Sequence, residues 1–234
     1  MGISHSTARY IAPASFLYDF AIQQYGMLSK PNMKDIHDAN LSCFSPQPYF
    51  IALFFFPQQI AQLVFLWKLW KKDGTEREIK EMTDYTPVYA LGNFCIGTWL
   101  FFWNANDLRT SNAFVILNTT AHLLYISTRL PALRTSSANS ILTHVVAKTF
   151  AGIGVLDLLH NTSAAYFAGN LAPSTAVKAL TGVGFGLAGA ASDWIFGGCL
   201  AYDLVALAVG QNAPRYTDGE DDYIRVQEEV EERV

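Results

Sequence analysis

Several ionisable side chains sit where a hydrocarbon interior would make them costly. Asp19, His122, His144, Lys148, Asp157, His160, Asp193 and Asp203 all fall within apolar stretches of the chain. A charge at the centre of a bilayer costs about 3 kcal/mol or more unless it is paired or faces water, so each is a candidate for a site. Helical spacing sorts four of them. His144 and Lys148 are four apart and share a face, as do Asp157 and His160, three apart. Lys148 and Asp157 are half a turn out of phase, so each needs a partner from another helix. Matched by depth, Lys148 meets Asp203 as a structural or gating pair with His122 nearby, and Asp157 and His160 lie near Asp193. These groups either clasp the helices together or line a polar cavity that binds or moves something.

The chemistry they support is limited. A bis-histidine haem needs two facing imidazoles, but His144 and His160 lie near opposite ends of one helix and His122 has no clear mate. A retinal Schiff base needs a lysine in the middle of the last helix, and none is there. No HExxH or similar motif occurs, and Cys43, Cys95 and Cys199 have no ligand or redox spacing. No metal, cofactor or nucleic acid is expected. The membrane stretches hold no glutamate, which leaves Asp157 and Asp203 as the carboxylates able to carry a proton.

The elements that position these groups follow from composition. Half the residues are hydrophobic and 15% are charged, against about a quarter charged in a soluble domain. The apolar residues come in blocks of about twenty, the length that crosses a bilayer. The expected fold is all-α, a polytopic transmembrane helical bundle of six or seven spans over residues 1–211, with the acidic segment 212–234 a disordered cytoplasmic tail. From Asp218 to Val234 that tail carries eight acidic residues against two arginines.

The spans are expected at Arg9–Leu28, Tyr49–Trp70, Tyr85–Trp103, Ser111–Tyr125 and from Ile141 to about Tyr166. The stretch Thr175–Gly210 is either one long tilted helix or two short ones turning at Ala191-Ser192-Asp193, with Asp193 capping the last. Basic residues gather in the loops KKDGTEREIKEM and TRLPALRTSS, which places those loops in the cytoplasm. Six spans, the preferred count, put both termini there; seven put the tail outside. Asn40 and Asn161 head glycosylation sequons on the outer side, and Gly2 with Ser6 fits a myristoylation pattern. The protein is expected to be a multi-pass resident of an endomembrane or the mitochondrial outer membrane.

The second span contains Pro57, which removes a backbone donor and kinks the helix. Gln58 and Gln62 make one polar stripe facing the bundle, with Gln59 about a quarter turn aside. Trp67 and Trp70 beside Lys68, Lys71 and Lys72 read as interface anchors. Gly182 and Gly186 have GxxxG spacing, a close-packing face for a neighbouring helix or for a homodimer.

The stretches MKDIHDANLSCFSPQPYFIALFFFPQQIAQLVF and LGNFCIGTWLFFWNAND, followed by an apolar helix ending LLYISTRL, resemble the tryptophan-rich sensory protein (TspO/MBR-related) family over residues 35–130. Asn93, Trp99 and Trp103 stand like that family's asparagine and tryptophans. Phe54-Phe55-Phe56-Pro57 replaces the family's tryptophan-containing motif, and the fifth helix lacks its tryptophan. The resemblance implies a bundle cavity for a porphyrin- or sterol-like molecule, in a carrier or sensor. Asn93, Trp99 and Trp103 are then its wall, and His122, Asp157 and His160 its polar contacts. Two alternatives are a membrane-embedded enzyme acting on a lipid or isoprenoid, with Asp157 or Asp203 as proton donor and His160 as partner, and a structural assembly factor.

Overall fold

A computed structural model describes residues 3–170 and 173–211. Gly2 of the acylation pattern and the expected acidic tail at 212–234 lie outside the described residues. The chain is all-α, with no strand among the described residues. Its helices are α1 (His5–Leu28), α2 (Met33–Ala39), α3 (Pro48–Lys71), α4 (Glu76–Asn104), α5 (Leu108–Thr128), α6 (Ala138–Phe167), α7 (Thr175–Ala190) and α8 (Trp194–Gln211). By length and hydropathy α3, α6 and α8 can cross a membrane. That is fewer than the six or seven spans expected. Helices α1, α4 and α5 are long, but charged and polar residues dilute them, and α7 has only 16 residues.

Capping sets most of the boundaries. Ser4 accepts from the Thr7 N–H, Ser137 from Ser140 and Ser174 from Val177. Thr75 and Glu78 form a capping box, which starts α4 nine residues ahead of the expected Tyr85. Asn32 and Asp35 form another, which starts the short helix α2. That helix was not expected from hydropathy, because one face of seven residues is too short to show a period. The last apolar stretch is two helices, and Asp193 Oδ1 accepts from the N–H groups of Ile195 and Phe196 at 3.1 and 3.2 Å. Helix α3 runs unbroken through Pro57.

Contacts between termini show which ends lie together. At one end, His5 Nε2 hydrogen-bonds Leu69 O at 2.8 Å. Asn139 Nδ2 donates to Asp73 O there, and Lys148 pairs with Asp193. At the opposite end, Asn104 donates to Gly26 O, Gly169 N–H to Leu41 O, and Gln47 N–H to Ala206 O. The chain therefore begins α1 at one end and finishes α8 at the other.

Helix α6 is the central post, packed by α3, α4, α5 and α8. Its small residues permit this. A Cβ on Gly152 would stand 2.4 Å from Cys199 Cβ, so the α6–α8 crossing needs glycine there. Helix α7 packs mainly on α8. Leu180, Val183 and Leu187 on it are exposed, and a Cβ on Gly182 or Gly186 would meet nothing within 4 Å. Those glycines pack against no other helix among the described residues.

Candidate functional site

Helices α1 and α3 touch at one end and part toward the other. Where they touch, the Arg9 guanidinium lies 4.7 Å over the Trp70 ring and Tyr10 meets the same indole edge-on at 5.4 Å. Where they part, a cavity of about 650 Å³ opens, floored by α4, α5 and α6. Its walls are largely aromatic and aliphatic, among them Phe20, Met27, Ile51, Phe55, Phe56 and Leu63. Phe56 is 68% and Leu63 54% exposed, so the outer rim faces the medium around the bundle rather than another helix.

The far wall is polar and ordered by hydrogen bonds. Trp99 Nε1 donates to Asn161 Oδ1 at 2.7 Å, and Asn161 Nδ2 donates to the Asp157 carbonyl at 2.9 Å. Trp103 stacks beside Trp99, ring centroids 5.4 Å apart, and its Nε1 donates to Met33 O at 3.1 Å. His37 Nδ1 and His160 Nε2 share a hydrogen bond at 3.2 Å, and the Trp103 ring lies 5.5 Å from His160. Helix α2 is thus pinned to α4 through Trp103 and to α6 through His160, and it closes one end of the cavity. Lys34 at the margin pairs with Asp38 at 2.5 Å.

Of the residues the sequence singles out, the structure brings Trp99, Trp103, Asp157 and His160 together on this cavity. Asn93 and His122 are not part of its lining. Asn93 is fully buried and donates to Tyr89 O, a helix-internal bond that holds it against its own backbone. His122 is also fully buried, stacked on Phe150 at 5.0 Å and bonded to Asn118 O. Both serve packing. A Cβ on Gly92 would stand 2.3 Å from the His122 ring, so α4 and α5 close tightly over it.

The expected Lys148–Asp203 pair is replaced by Lys148–Asp193. The turn between α7 and α8 brings Asp193 to the depth of Lys148, and the same turn removes Asp193 from Asp157 and His160. Burial pushes the Asp193 carboxyl up, but the Lys148 ammonium and the capping N–H groups outweigh it and hold the pKa below the usual carboxylate value. Asp203 is fully buried on α8, and neither carboxylate oxygen has a hydrogen-bond partner among the described residues.

The Gln58–Gln62 stripe does face inward. Gln62 Nε2 donates to Gln58 Oε1 at 2.7 Å, and Tyr89 OH donates to Gln62 Oε1 at 2.8 Å. Gln59, a quarter turn away, faces the cavity instead. Sequence reasoning missed His37, took Asn161 only as the head of a sequon and set Gln59 aside from the inward stripe. The two sequence signals that bear on them are the Asn32–Asp35 capping box, which sets His37 on a helix, and the i, i+4 spacing of Asp157 and Asn161. No group of three or more histidine, cysteine, aspartate or glutamate residues with metal-holding geometry occurs among the described residues. No protein-family model, curated protein or solved structure matches this chain.

Proposed function

We propose that this is an integral membrane protein that binds a small hydrophobic or amphipathic molecule in the cavity between α1 and α3, as a carrier or sensor. The observation that carries the reading is the shape and lining of that cavity. It is a space of about 650 Å³ with apolar walls, an open flank between two helices and one polar end, and binding sites for small molecules have this build. An opening through the side of a bundle admits a molecule already dissolved in lipid. Trp99 and Trp103, two of the residues behind the resemblance to tryptophan-rich sensory proteins, lie on its wall.

All the long helices cross in this reading, α7 included, although its 16 residues rise only about 24 Å. Seven crossings follow from α1 starting and α8 ending at opposite ends. Arg9, Lys68, Lys71, Lys72, Arg77, Lys80, Arg129 and Arg134 gather at the end where α1 begins, against Lys30, Lys34, Arg109 and Lys178 at the other. The positive-inside rule favours the first end in the cytoplasm and the last turn of α8 on the far side.

The test uses purified protein in detergent, titrated with protoporphyrin IX and with cholesterol. A Soret shift or a rise in melting temperature with either, weakened in Ala52→Phe, is the expected result. Ala52 is exposed on the cavity wall, so the larger ring narrows the space without disturbing packing. No response to either ligand removes the reading's support. An enzyme acting on a lipid or isoprenoid is the second reading, favoured by the His37–His160 hydrogen bond close to Asp157 on α6. It predicts that wild-type protein, but not Asp157→Asn, changes the composition of a bound lipid extract.

A further inference from the structure

The cavity holds one acidic group, Asp157, and its carboxylate has neither a hydrogen bond nor an opposite charge among the described residues. Gln59 Oε1, Asn118 Oδ1 and His160 Nδ1 on the same lining are also without a hydrogen-bond partner, while other groups around it are engaged. Lys34, the lining's one ammonium, is held by Asp38. His37 and His160 are bonded to each other, and Trp99 is bonded to Asn161. Behind Asp157, across the α6–α8 contact, Asp203 is close enough for the two carboxylates to repel, and its own oxygens are buried and unpartnered. Trp99 and Trp103 line the same cavity as Asp157, their ring centroids 5.4 Å apart. The site therefore holds an unpaired carboxyl group on a cavity wall that it shares with two tryptophan rings.

We propose that the cavity's ligand is an amphipathic amine. Its ammonium sits on the Asp157 carboxylate against Trp99 and Trp103, and its apolar body lies along the wall toward the gap between α1 and α3. The ammonium supplies the charge-assisted hydrogen bond that Asp157 lacks, and the negative faces of the tryptophan rings favour a cation further. An anionic head would meet two carboxylates. A neutral hydroxyl could make one hydrogen bond but no ion pair. This assignment rests on the ligand-binding reading and narrows it to a chemical class.

The experiment compares two probes that differ only in the head, N,N-dimethyl-(2-bromo-4-octylphenyl)methanamine and (2-bromo-4-octylphenyl)methanol, whose bromine lies beside the head and quenches the indoles next to it. The protein is in phosphatidylcholine nanodiscs at pH 7.5 and carries Trp67→Phe, Trp70→Phe and Trp194→Phe, so that only Trp99 and Trp103 report. A chain carrying Trp99→Phe and Trp103→Phe instead corrects for partitioning into lipid. The expected result is tenfold or greater preference for the amine. Asp157→Asn reduces that preference below twofold and leaves the affinity for the alcohol unchanged. Equal affinities for the two probes, both weakened by Ala52→Phe, overturn the amine assignment and leave the cavity reading standing. Preference for the amine that persists in Asp157→Asn overturns it as well. If neither probe quenches above the partition control, both readings fall. The wild-type comparison needs no variant at Asp157, so poor folding of Asp157→Asn does not spare the proposal.

Discussion

Gln62 lies between a donor and an acceptor, taking the Tyr89 hydroxyl hydrogen on its oxygen and giving its amide to Gln58. Tyr89 and Gln62 are both buried, so Tyr89→Phe strands the Gln62 oxygen. Hydrogen bonds between membrane helices average about 0.6 kcal/mol, and a stranded buried acceptor costs somewhat more, about 1–3 kcal/mol in general. Tyr89→Phe should therefore lower unfolding free energy in mixed micelles by about 1 kcal/mol, without changing ligand binding. Glu78, half-buried at the start of α4, gives a pH signature. The Ser137 hydroxyl, followed by the Thr75 N–H, holds its pKa down to about 2. A depressed carboxylate stabilises the fold above its unfolded pKa, and that contribution is lost as pH falls through the folded value. The stability gap between wild type and Glu78→Gln should be constant above about pH 5 and close as pH falls toward 2, measured by thermal melts across that range. At this scale the sequence was partly legible. Asp157, His160, Trp99 and Trp103 stood out because they are polar or aromatic in apolar surroundings. Asn93 and His122 stood out for the same reason, and helical phase alone does not say whether an inward group meets a cavity or a neighbour.

At the scale of elements, the α7–α8 turn does two jobs through one residue. Asp193 caps α8 through its side chain and neutralises Lys148 on α6. Asparagine caps nearly as well as aspartate but carries no charge. Asp193→Asn should thus leave Lys148 unpaired at a cost of about 1–3 kcal/mol. Asp193→Ala should cost about 1 kcal/mol more, through the lost cap. Hydrogen exchange in residues 186–198 reads both, and equal effects would deny the cap. Glycines give a second contrast. Gly152→Ala must push Cys199 aside and should destabilise by about 1–3 kcal/mol, as overpacking does. Gly182→Ala meets open space and should be silent on the fold of the single chain. The turn at 191–193 was legible because a small-polar break interrupts an apolar run too long for one helix. Helix α2 was not, and with it went His37 and the closed end of the cavity.

For the whole molecule, the charge pattern and the helix count pull on the same question. Hydropathy alone picks three spans, because α1, α4 and α5 carry the polar groups that the bundle buries. Six spans follow if α7 and α8 are one tilted helix; on the proposed reading, in which every long helix crosses, the hairpin gives seven. Tags at the two termini should then be protected from protease on opposite sides of sealed vesicles. Neither Asn40 nor Asn161 should accept glycan, because both side chains are buried and their amides are engaged, Asn40 with Ile36 O and Asn106 Oδ1 and Asn161 with Asp157 O. The central claim is that lipid-soluble molecules enter between α1 and α3 and stop against Trp99, Trp103 and Asp157. Photolabelling with a diazirine-bearing twelve-carbon amphiphile in nanodiscs, mapped by peptide mass spectrometry, tests it most directly. Label should concentrate on the cavity walls of α1, α3 and α4, including Trp99 and Trp103, and fall several-fold in Ala52→Phe. Label spread as densely over Leu180 and Leu187 of α7 as over the cavity, and unchanged in Ala52→Phe, would contradict it.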